Sequence, residues 1–377
     1  MKNPSRRSTG KCSPASSGRT APSCHRPCCG AGLPSGSVSS TIIRPGTTCA
    51  KPWKPLNNSE TRRFRKPKSG VTWTGGAPIR PGKGLPSVKH LNRYRSPKVK
   101  DVERMALTND EVAHFRSHGY VAKPGFFSDR ETRAFQAEID RLMENGAMRN
   151  VATAGDGKTT STTQRNMQLC PMYRHSDLFR ALPFQPDVVA AISRLIGDPF
   201  ILHLDQVFLK PGGDGMGTHW HQDNAYFKIR DPLMGTAVWI AVHDATVENG
   251  TMQVIPGSYR TPYEHSRDPY SDHHIRCYPP EEQADTIELK AGGALFFCYG
   301  TAHCTGHNRT DRSRAGIAFH FLRADYAPER LIEDGRDYRP YVTGPRATGG
   351  VVEYGVRVDG TWESEVAKAL ERGRAAV

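Results

Sequence analysis

The chain has 377 residues, of which 37% are hydrophobic and 24% are charged, and its formal net charge is +14. The basic surplus is confined to residues 1–104, which hold 22 Lys and Arg against 3 Asp and Glu, whereas residues 105–377 hold 30 against 35. Composition therefore gives the folded part no basic patch for nucleic acid, and no apolar run approaches the ~18 residues that a membrane-spanning helix needs.

Residues 1–104 are predicted to be a basic, disordered leader. They are rich in Ser, Pro, Gly, Lys and Arg, and their apolar residues follow neither a helical nor a strand period. Pro and Gly recur too often for the amphipathic helix of a transit peptide. Met105 is the first methionine after Met1, and periodic sequence begins directly after it. Our hypothesis is a start site assigned too early, which a peptide from residues 1–104 in the native protein would refute.

A domain is expected over residues 105–330, followed by a C-terminal extension over residues 331–377. Its first part is predicted to contain three helices, because apolar residues recur there at helical spacing between capping and stop signals. These signals are Thr108 and Gly119 for the first helix, Ser128 and Gly146 for the second, and Pro186 and Gly197 for the third. The polar, Gly- and Thr-rich residues 150–165 are predicted to form a mobile loop.

After the third helix the apolar period falls to two, which predicts short strands separated by Gly and Pro. The expected strands cover residues 200–209, 217–223, 236–243, 251–255, 286–289, 294–299 and 314–323. Closely spaced short strands after a helical preface indicate a jelly roll with helices packed outside. A terminal helix is predicted over residues 363–372 within the C-terminal extension.

His221 and Asp223 are the first candidate metal ligands. Strand alternation places both on one face with Cα atoms ~6–7 Å apart, but an H-x-D pattern is common by chance and needs a third ligand. His303, which follows the apolar residues 294–297, is the candidate. His219 lies on the same face as His221, so a His219/His221 metal pair is an alternative. Two histidines and one carboxylate suit a non-haem Fe(II) oxygenase, because they leave coordination positions open.

Arg314 lies eleven residues after His303. Its position indicates an anchor for a cosubstrate that supplies the electrons for dioxygen chemistry. A 2-oxo acid on the iron supplies two electrons by decarboxylation, and a planar, permanently charged Arg suits its distal carboxylate better than Lys. Thr305 can add a hydroxyl donor to the same carboxylate. Gln206 and Lys210 lie at the barrel mouth by strand alternation and are further candidates for contact with this cosubstrate.

These residues resemble the phytanoyl-CoA dioxygenase family of Fe(II)- and 2-oxoglutarate-dependent oxygenases over roughly residues 107–325. The similar segments are HQD at 221–223, HCTGHN at 303–308 with Arg314 at the family's spacing, WIAVHD at 239–244, ENGTMQVIPGS at 248–258 and GYVAKPGFFSD at 119–129. The chain departs from the family at Cys304 and Thr305, which replace Gly and Ser, and Thr305 keeps the hydroxyl. Gly293 and Tyr259 also replace the family's Asp and His at positions that are not ligands.

The resemblance implies a mainly β fold with flanking helices, a double-stranded β-helix (jelly roll, cupin-like). It implies Fe(II) bound by His221, Asp223 and His303, 2-oxoglutarate held by Arg314 and Thr305, and O2 as the oxidant. The expected reaction hydroxylates a small organic substrate and releases succinate and CO2. Trp239 occupies the place of the family's tryptophan that lines the cosubstrate site. Related halogenases lack the carboxylate that Asp223 supplies, so oxidation is expected here and halogenation is not.

Two alternatives from other classes stay open at this point. The first is a non-catalytic β-barrel binding protein whose basic leader docks on nucleic acid, although the composition of the folded part argues against a nucleic-acid partner. The second is a zinc hydrolase with the same triad, which would not need Arg314. Five further histidines, His243, His265, His273, His274 and His320, are predicted to be packing or surface residues. The predicted compartment is the cytoplasm, and loops 150–170, 224–235 and 259–285 are expected to set substrate specificity.

Overall fold

The computed structural model describes residues 107–328, 331 and 339–375. The predicted leader, residues 1–104, lies outside these residues, so its prediction stays a prediction. No helix in this part of the chain has the length and apolar character needed to cross a membrane.

The helices begin where the sequence places capping residues. Thr108 and Ser128 each accept a hydrogen bond from the backbone three residues later, and Glu111 and Glu131 close the reciprocal capping boxes. The first helix ends at Gly119, whose φ of 85° is costly for a residue with a Cβ. The helices are α1 (Asn109–His118), α2 (Asp129–Glu144), α3 (Asp177–Ala181), α4 (Pro186–Ile196), α5 (Asn224–Phe227), α6 (Val351–Tyr354) and α7 (Trp362–Ala375).

Thirteen strands among the described residues form three antiparallel sheets. They are β1 (Tyr120–Lys123), β2 (Arg149–Asn150), β3 (Met167–Leu169), β4 (Phe200–Lys210), β5 (Thr218–His221), β6 (Gly235–Ala241), β7 (Met252–Val254), β8 (Ser266–Arg267), β9 (Ile275–Arg276), β10 (Asp285–Ile287), β11 (Ala294–Cys298), β12 (His303–Thr305) and β13 (Arg314–Arg323). The large sheet has the order β1-β11-β6-β13-β4-β3-β2, the small sheet β10-β7-β12-β5, and β8 pairs with β9. This is the predicted jelly roll with helices outside.

The two faces of the large sheet pack against different parts of the structure. Phe296 of β11 and Phe319 of β13 point into the main core, which they share with the helices. Leu295 and Phe297 belong to a second cluster with Trp239 of β6 and residues of β7 in the small sheet. Because strand side chains alternate between faces, a single strand can both anchor the helices and line the space between the sheets.

The last helix packs against the second. The Trp362 Nε1–H donates to Glu131 Oε1 at 2.7 Å, and the Trp362 ring lies 5.9 Å from that of Phe135. Arg372 pairs with the buried carboxylate of Glu138 at 3.1 Å. The predicted terminal helix is thus confirmed and is somewhat longer than expected. The domain boundary placed after residue 330 stays a prediction.

Replacing Trp362 with alanine should therefore destabilise the chain. Removing a buried indole costs roughly 3–5 kcal/mol of unfolding free energy, and Glu131 loses its hydrogen-bond donor. Urea denaturation of Trp362→Ala should show the full loss, whereas Trp362→Phe, which keeps an aromatic ring, should lose less than half as much. Equal stability of Trp362→Ala and the wild type would show that α7 does not contribute to the core.

Sequence patterns missed or misjudged the shortest elements. The strand expected over residues 217–223 ends at His221, because the chain turns into a helical conformation at Asp223 (φ −58°, ψ −32°). Strands of two or three residues, such as β2, β3, β8, β9 and β12, are too short to show a period. The expected loop over residues 150–165 contains β2's end and an isolated bridge between Thr153 and Thr160.

Candidate active site

A cavity lies between the large and small sheets, lined by side chains of both. All seven residues predicted to form the site line it: Gln206, His221, Asp223, Trp239, His303, Thr305 and Arg314. The structure therefore brings together residues that are up to 108 positions apart in the sequence.

His221, Asp223 and His303 form a compact, buried cluster. His221 on β5 and His303 on β12 are paired across the small sheet, and their ring centroids are 4.2 Å apart. The helical turn after β5 brings Asp223 beside them, so that its Oδ1 lies 3.7 Å from His221 Nε2 and 3.9 Å from His303 Nε2. One donor atom from each residue lies within 4.8 Å of the other two, a spacing that can hold a metal ion.

The hydrogen bonds of the two histidines fix which ring nitrogen can bind a metal. His221 Nδ1 donates to the carbonyl of His219 at 2.8 Å, and His303 Nδ1 donates to the carbonyl of Thr301 at 2.9 Å. Each ring therefore presents its unprotonated Nε2 to the cluster, the arrangement that orients histidine ligands in metalloproteins. Two imidazole nitrogens and one carboxylate oxygen fit Fe(II), and leave positions for further ligands.

The alternative metal pair of His219 and His221 is not formed. The pairing of β5 with β12 shifts between Thr218 and His221, so the alternation expected over these residues is broken by a bulge. His219 is exposed and its Nδ1 bonds to Asp268 Oδ2 at 2.8 Å, while His221 faces the cavity.

Burial and mutual contact shift the protonation of the cluster in the direction that metal binding needs. Burial lowers the pKa of His221 to about 3 and also lowers the pKa of His303, so both rings are neutral at pH 7. Burial alone would raise the pKa of Asp223, but the neighbouring histidines, His320 first, hold that pKa below its ordinary value. The cluster thus offers two neutral imidazoles and one carboxylate.

The metal-free protein should lose stability on acidification. Because the folded pKa of His221 is about 3 and its ordinary value is 6.5, the unfolded chain binds more protons between these values, and stability is lost as pH falls below 6.5. Each such group contributes about 1.4 kcal/mol per pH unit. Thermal denaturation of metal-free protein should show a lower Tm at pH 5 than at pH 7, with a smaller fall in His221→Leu. An identical fall in the variant would contradict the assignment.

The other end of the cavity carries two buried basic side chains. Arg314, 1% exposed, donates through Nη2 to the carbonyl of Gly250 and lies opposite Lys210, also 1% exposed, in the register of β13 and β4. Lys210 Nζ donates to Thr305 Oγ1 at 2.6 Å and to the carbonyl of Gly306 at 2.5 Å. Within the described residues neither side chain pairs with a carboxylate. Burial lowers the pKa of Arg314 to about 10, which keeps the guanidinium charged at pH 7.

Trp239 and Gln206 occupy the wall between the two ends. The Arg314 guanidinium carbon lies 5.7 Å from the centroid of the Trp239 ring. Gly316 leaves room for the Trp239 ring, because a Cβ at residue 316 would lie only 2.4 Å from Trp239 Nε1. Gln206 Oε1 accepts a hydrogen bond from Gln168 Nε2 at 3.1 Å.

Two cavity residues, His320 and His274, were predicted to be packing or surface residues. His320 Nε2 donates to Asp223 Oδ2 at 3.1 Å, so Oδ1 is the oxygen left facing the two imidazoles. The period-two pattern of β13 carries a signal for His320, which lies on the same face as Arg314 with Gly316 and Ala318 between. His274 carries no such signal, because it precedes a strand of only two residues.

Removing the His320 donor should weaken iron binding. In His320→Phe the Asp223 carboxylate loses the hydrogen bond that holds Oδ2 and leaves Oδ1 facing the two imidazoles. Such partners of metal ligands are worth roughly 10–100-fold in affinity. Anaerobic Fe(II) titration should show this loss, and His320→Gln, which restores an N–H donor, should recover part of it. Unchanged affinity in His320→Phe would assign the ring to packing alone.

Comparison with known proteins identifies a family whose members resemble this chain. The family model described as "Phytanoyl-CoA dioxygenase (PhyH)" matches residues 115–316, more than half of the chain. Similar curated proteins include an ectoine dioxygenase of Stutzerimonas stutzeri, 24% identical over 257 residues that cover 62% of this chain and 82% of that protein. The peroxisomal phytanoyl-CoA dioxygenase of Rattus norvegicus is 22% identical over 241 residues, covering 59% of this chain and 71% of the relative.

A solved structure supports the architecture. The non-haem alpha-ketoglutarate-dependent carbocyclase SnoK from nogalamycin biosynthesis matches with a TM-score of 0.50 and 22% identity, covering 62% of this chain and 90% of that one. At this identity the match concerns the fold, and it agrees with the antiparallel sheets and outer helices described above.

Proposed function

Because this chain belongs to the phytanoyl-CoA dioxygenase family, we propose that His221, Asp223 and His303 bind its iron and that it hydroxylates a C–H bond of a small organic substrate. The family and the curated relatives make the chain an Fe(II)- and 2-oxoglutarate-dependent dioxygenase. Bound Fe(II) and 2-oxoglutarate together supply the oxidising power from O2, with succinate and CO2 as products.

One observation carries the assignment of the residues. The same cavity holds a neutral-imidazole and carboxylate cluster at one end and, at the other, the buried Arg314 guanidinium and Lys210 amine, neither of which has a carboxylate partner within the described residues. An unpaired buried cation is costly unless an anion joins it. A dianion that spans the cavity, with one end at the metal and its far carboxylate at Arg314, satisfies both ends. A zinc hydrolase would have no use for such an arrangement.

The protein's own groups have distinct tasks in this proposal. His221, His303 and Asp223 Oδ1 bind the metal, and His320 holds Asp223 Oδ2 away from it. The guanidinium of Arg314 and the hydroxyl of Thr305 bind the distal carboxylate, and Lys210 adds a second donor beside Thr305. A carboxylate at this place would also favour the charged form of Lys210, whose pKa burial lowers well below its ordinary value. Trp239 walls the site and keeps water from it.

The proposal is tested by succinate release from purified protein. With Fe(II), 2-oxoglutarate and O2 we expect succinate in proportion to enzyme, and none when iron is removed by a chelator. Retention of activity with Zn(II) in place of Fe(II) would contradict an oxygenase. Salt-sensitive binding of DNA or RNA, lost on deletion of residues 1–104, without any succinate release would instead support the non-catalytic alternative.

We also propose that the substrate is a small organic molecule and that the protein works in the cytoplasm. Asp223 supplies the carboxylate of the metal cluster, which supports oxidation of the substrate by hydroxylation. The Stutzerimonas relative is named for ectoine, a small molecule, which supports a small organic substrate here. The described cysteines Cys170, Cys277, Cys298 and Cys304 are all free thiols, which supports a reducing compartment such as the cytoplasm.

A further inference from the structure

His274 is a buried histidine at the cavity wall whose side chain has no hydrogen-bond partner within the described residues. The residue is 7% exposed, and both Nδ1 and Nε2 are buried and unpaired. Its ring centroid lies 5.8 Å from that of His221 and 5.6 Å from that of Phe208. Because buried polar atoms in proteins are nearly always hydrogen-bonded, a ring with two unpaired nitrogens beside the metal cluster indicates a ligand-binding group.

The backbone around His274 holds the ring in place. His274 N donates to Ser271 Oγ at 3.3 Å, and the His274 carbonyl accepts from Asp268 N at 3.0 Å. The next residue, Ile275, donates its N–H to the Tyr226 hydroxyl at 2.8 Å. The backbone that carries the ring is therefore fixed before any ligand arrives, which lowers the entropic cost of binding.

The neighbouring histidine shows the contrast. The His273 ring lies 4.2 Å from that of His274, but its Nδ1 bonds to Asp272 at 2.6 Å and its Nε2 to the Gln168 amide at 3.3 Å. His273 is satisfied by the protein and is partly exposed. Of the two adjacent rings, only His274 has both of its nitrogens left for a ligand.

The charges around the cavity restrict what that ligand can be. The charged side chains that line it are Asp223, Lys210 and Arg314, and all three already have tasks at the metal and the cosubstrate. The remaining lining near His274 includes Gln206 and Phe208, which are neutral. No charged side chain of the cavity lining is left to pair with a carboxylate, phosphate or ammonium group beside His274, so burying such a group against this lining would carry a high desolvation cost.

Resting on the proposed function, we propose that His274 binds an uncharged hydroxyl or amide group on the part of the primary substrate that enters the cavity. A neutral imidazole offers one donor and one acceptor, and hydroxyl and amide groups also donate and accept. Phe208, beside the ring, packs against the carbon skeleton that carries this group. His274 thus selects the substrate by a neutral polar group close to the metal.

Matched probe pairs test the chemical class. Succinate release with saturating Fe(II) and 2-oxoglutarate is measured without probe, with methyl glucoside and methyl glucuronide, and with N-acetylprolinamide and N-acetylproline, with ectoine as a zwitterionic comparator. In each pair the first member is uncharged and the second carries a carboxylate. We expect an uncharged member to raise succinate release above the probe-free rate and its charged partner to fail. Stronger stimulation by a charged partner or by ectoine, or no stimulation by either uncharged probe, would overturn the proposal.

Variants then assign the effect to the residue. With the stimulating probe, His274→Phe should lose roughly tenfold or more of the stimulated rate, because the probe's polar group is left unpaired. His274→Asn, which keeps a donor and an acceptor, should retain more of it, and His273→Phe should retain all of it. Stimulation that survives His274→Phe would overturn the proposal. Fe(II) affinity and probe-free succinate release should stay unchanged in His273→Phe, and absence of iron-dependent succinate release from the wild type would instead refute the proposed function.

Discussion

Replacing Asp223 with alanine is expected to abolish Fe(II) binding and succinate release. Asp223 supplies the one anionic donor of the cluster, with Oδ1 3.7 and 3.9 Å from the two imidazole nitrogens. Without it two neutral histidines face the metal, and His320 loses its acceptor in a buried site. Partners of metal ligands alone are worth roughly 10–100-fold, so loss of a ligand should lower turnover by more than ~100-fold.

The Asp223→Ala result is checked by anaerobic Fe(II) titration together with succinate release. Asp223→Asn, which keeps the shape of the side chain and removes its charge, should fail nearly as completely. Asp244→Asn serves as the control, because Asp244 pairs with Lys290 at the surface, away from the cavity. Turnover of Asp223→Ala within tenfold of the wild type would remove Asp223 from the metal site.

Replacing Arg314 with lysine is expected to raise the KM for 2-oxoglutarate by roughly 10–100-fold with a smaller effect on kcat. A hydrogen bond to a charged group is worth about 1.5–3 kcal/mol, and each 1.4 kcal/mol is a factor of ten in affinity. Lysine keeps the charge but replaces the two-pronged guanidinium with a single point donor. It also loses the planar group that lies over Trp239.

Steady-state kinetics with varied 2-oxoglutarate measure this effect, and Fe(II) affinity should not change because Arg314 lies at the opposite end of the cavity. The matched control is Arg312→Lys, since Arg312 is exposed two residues before the strand begins. An unchanged KM in Arg314→Lys would count against the anchor, and an equal rise in Arg312→Lys would assign the effect to the loop.

Much of this fold follows from patterns that are local in the sequence. Capping boxes at Thr108 and Ser128 and the left-handed Gly119 locate two helices almost to the residue. The apolar period of two locates the longer strands. The sequence also locates His303 near the end of the buried strand β11, although the structure places it five residues beyond that strand, as the first residue of β12.

What the sequence left open depends on contacts between distant segments. The bulge that turns His219 outward arises from the pairing of β5 with β12, and it cannot be seen in either strand alone. Asp223 reaches the cluster through a helical turn, although strand alternation predicted a similar position for another reason. The roles of His320 and His274 depend on residues that are distant in the sequence. His320 bonds to Oδ2 of Asp223, and the unpaired ring of His274 lies at the cavity wall.

Anomalous diffraction at the iron absorption edge, from crystals grown anaerobically with Fe(II) and 2-oxoglutarate, tests the central assignment most directly. We predict a single strong peak within bonding distance of His221 Nε2, His303 Nε2 and Asp223 Oδ1, with the far carboxylate of 2-oxoglutarate on the Arg314 guanidinium. A peak at any other set of side chains, or a 2-oxoglutarate molecule that does not contact Arg314, would contradict it.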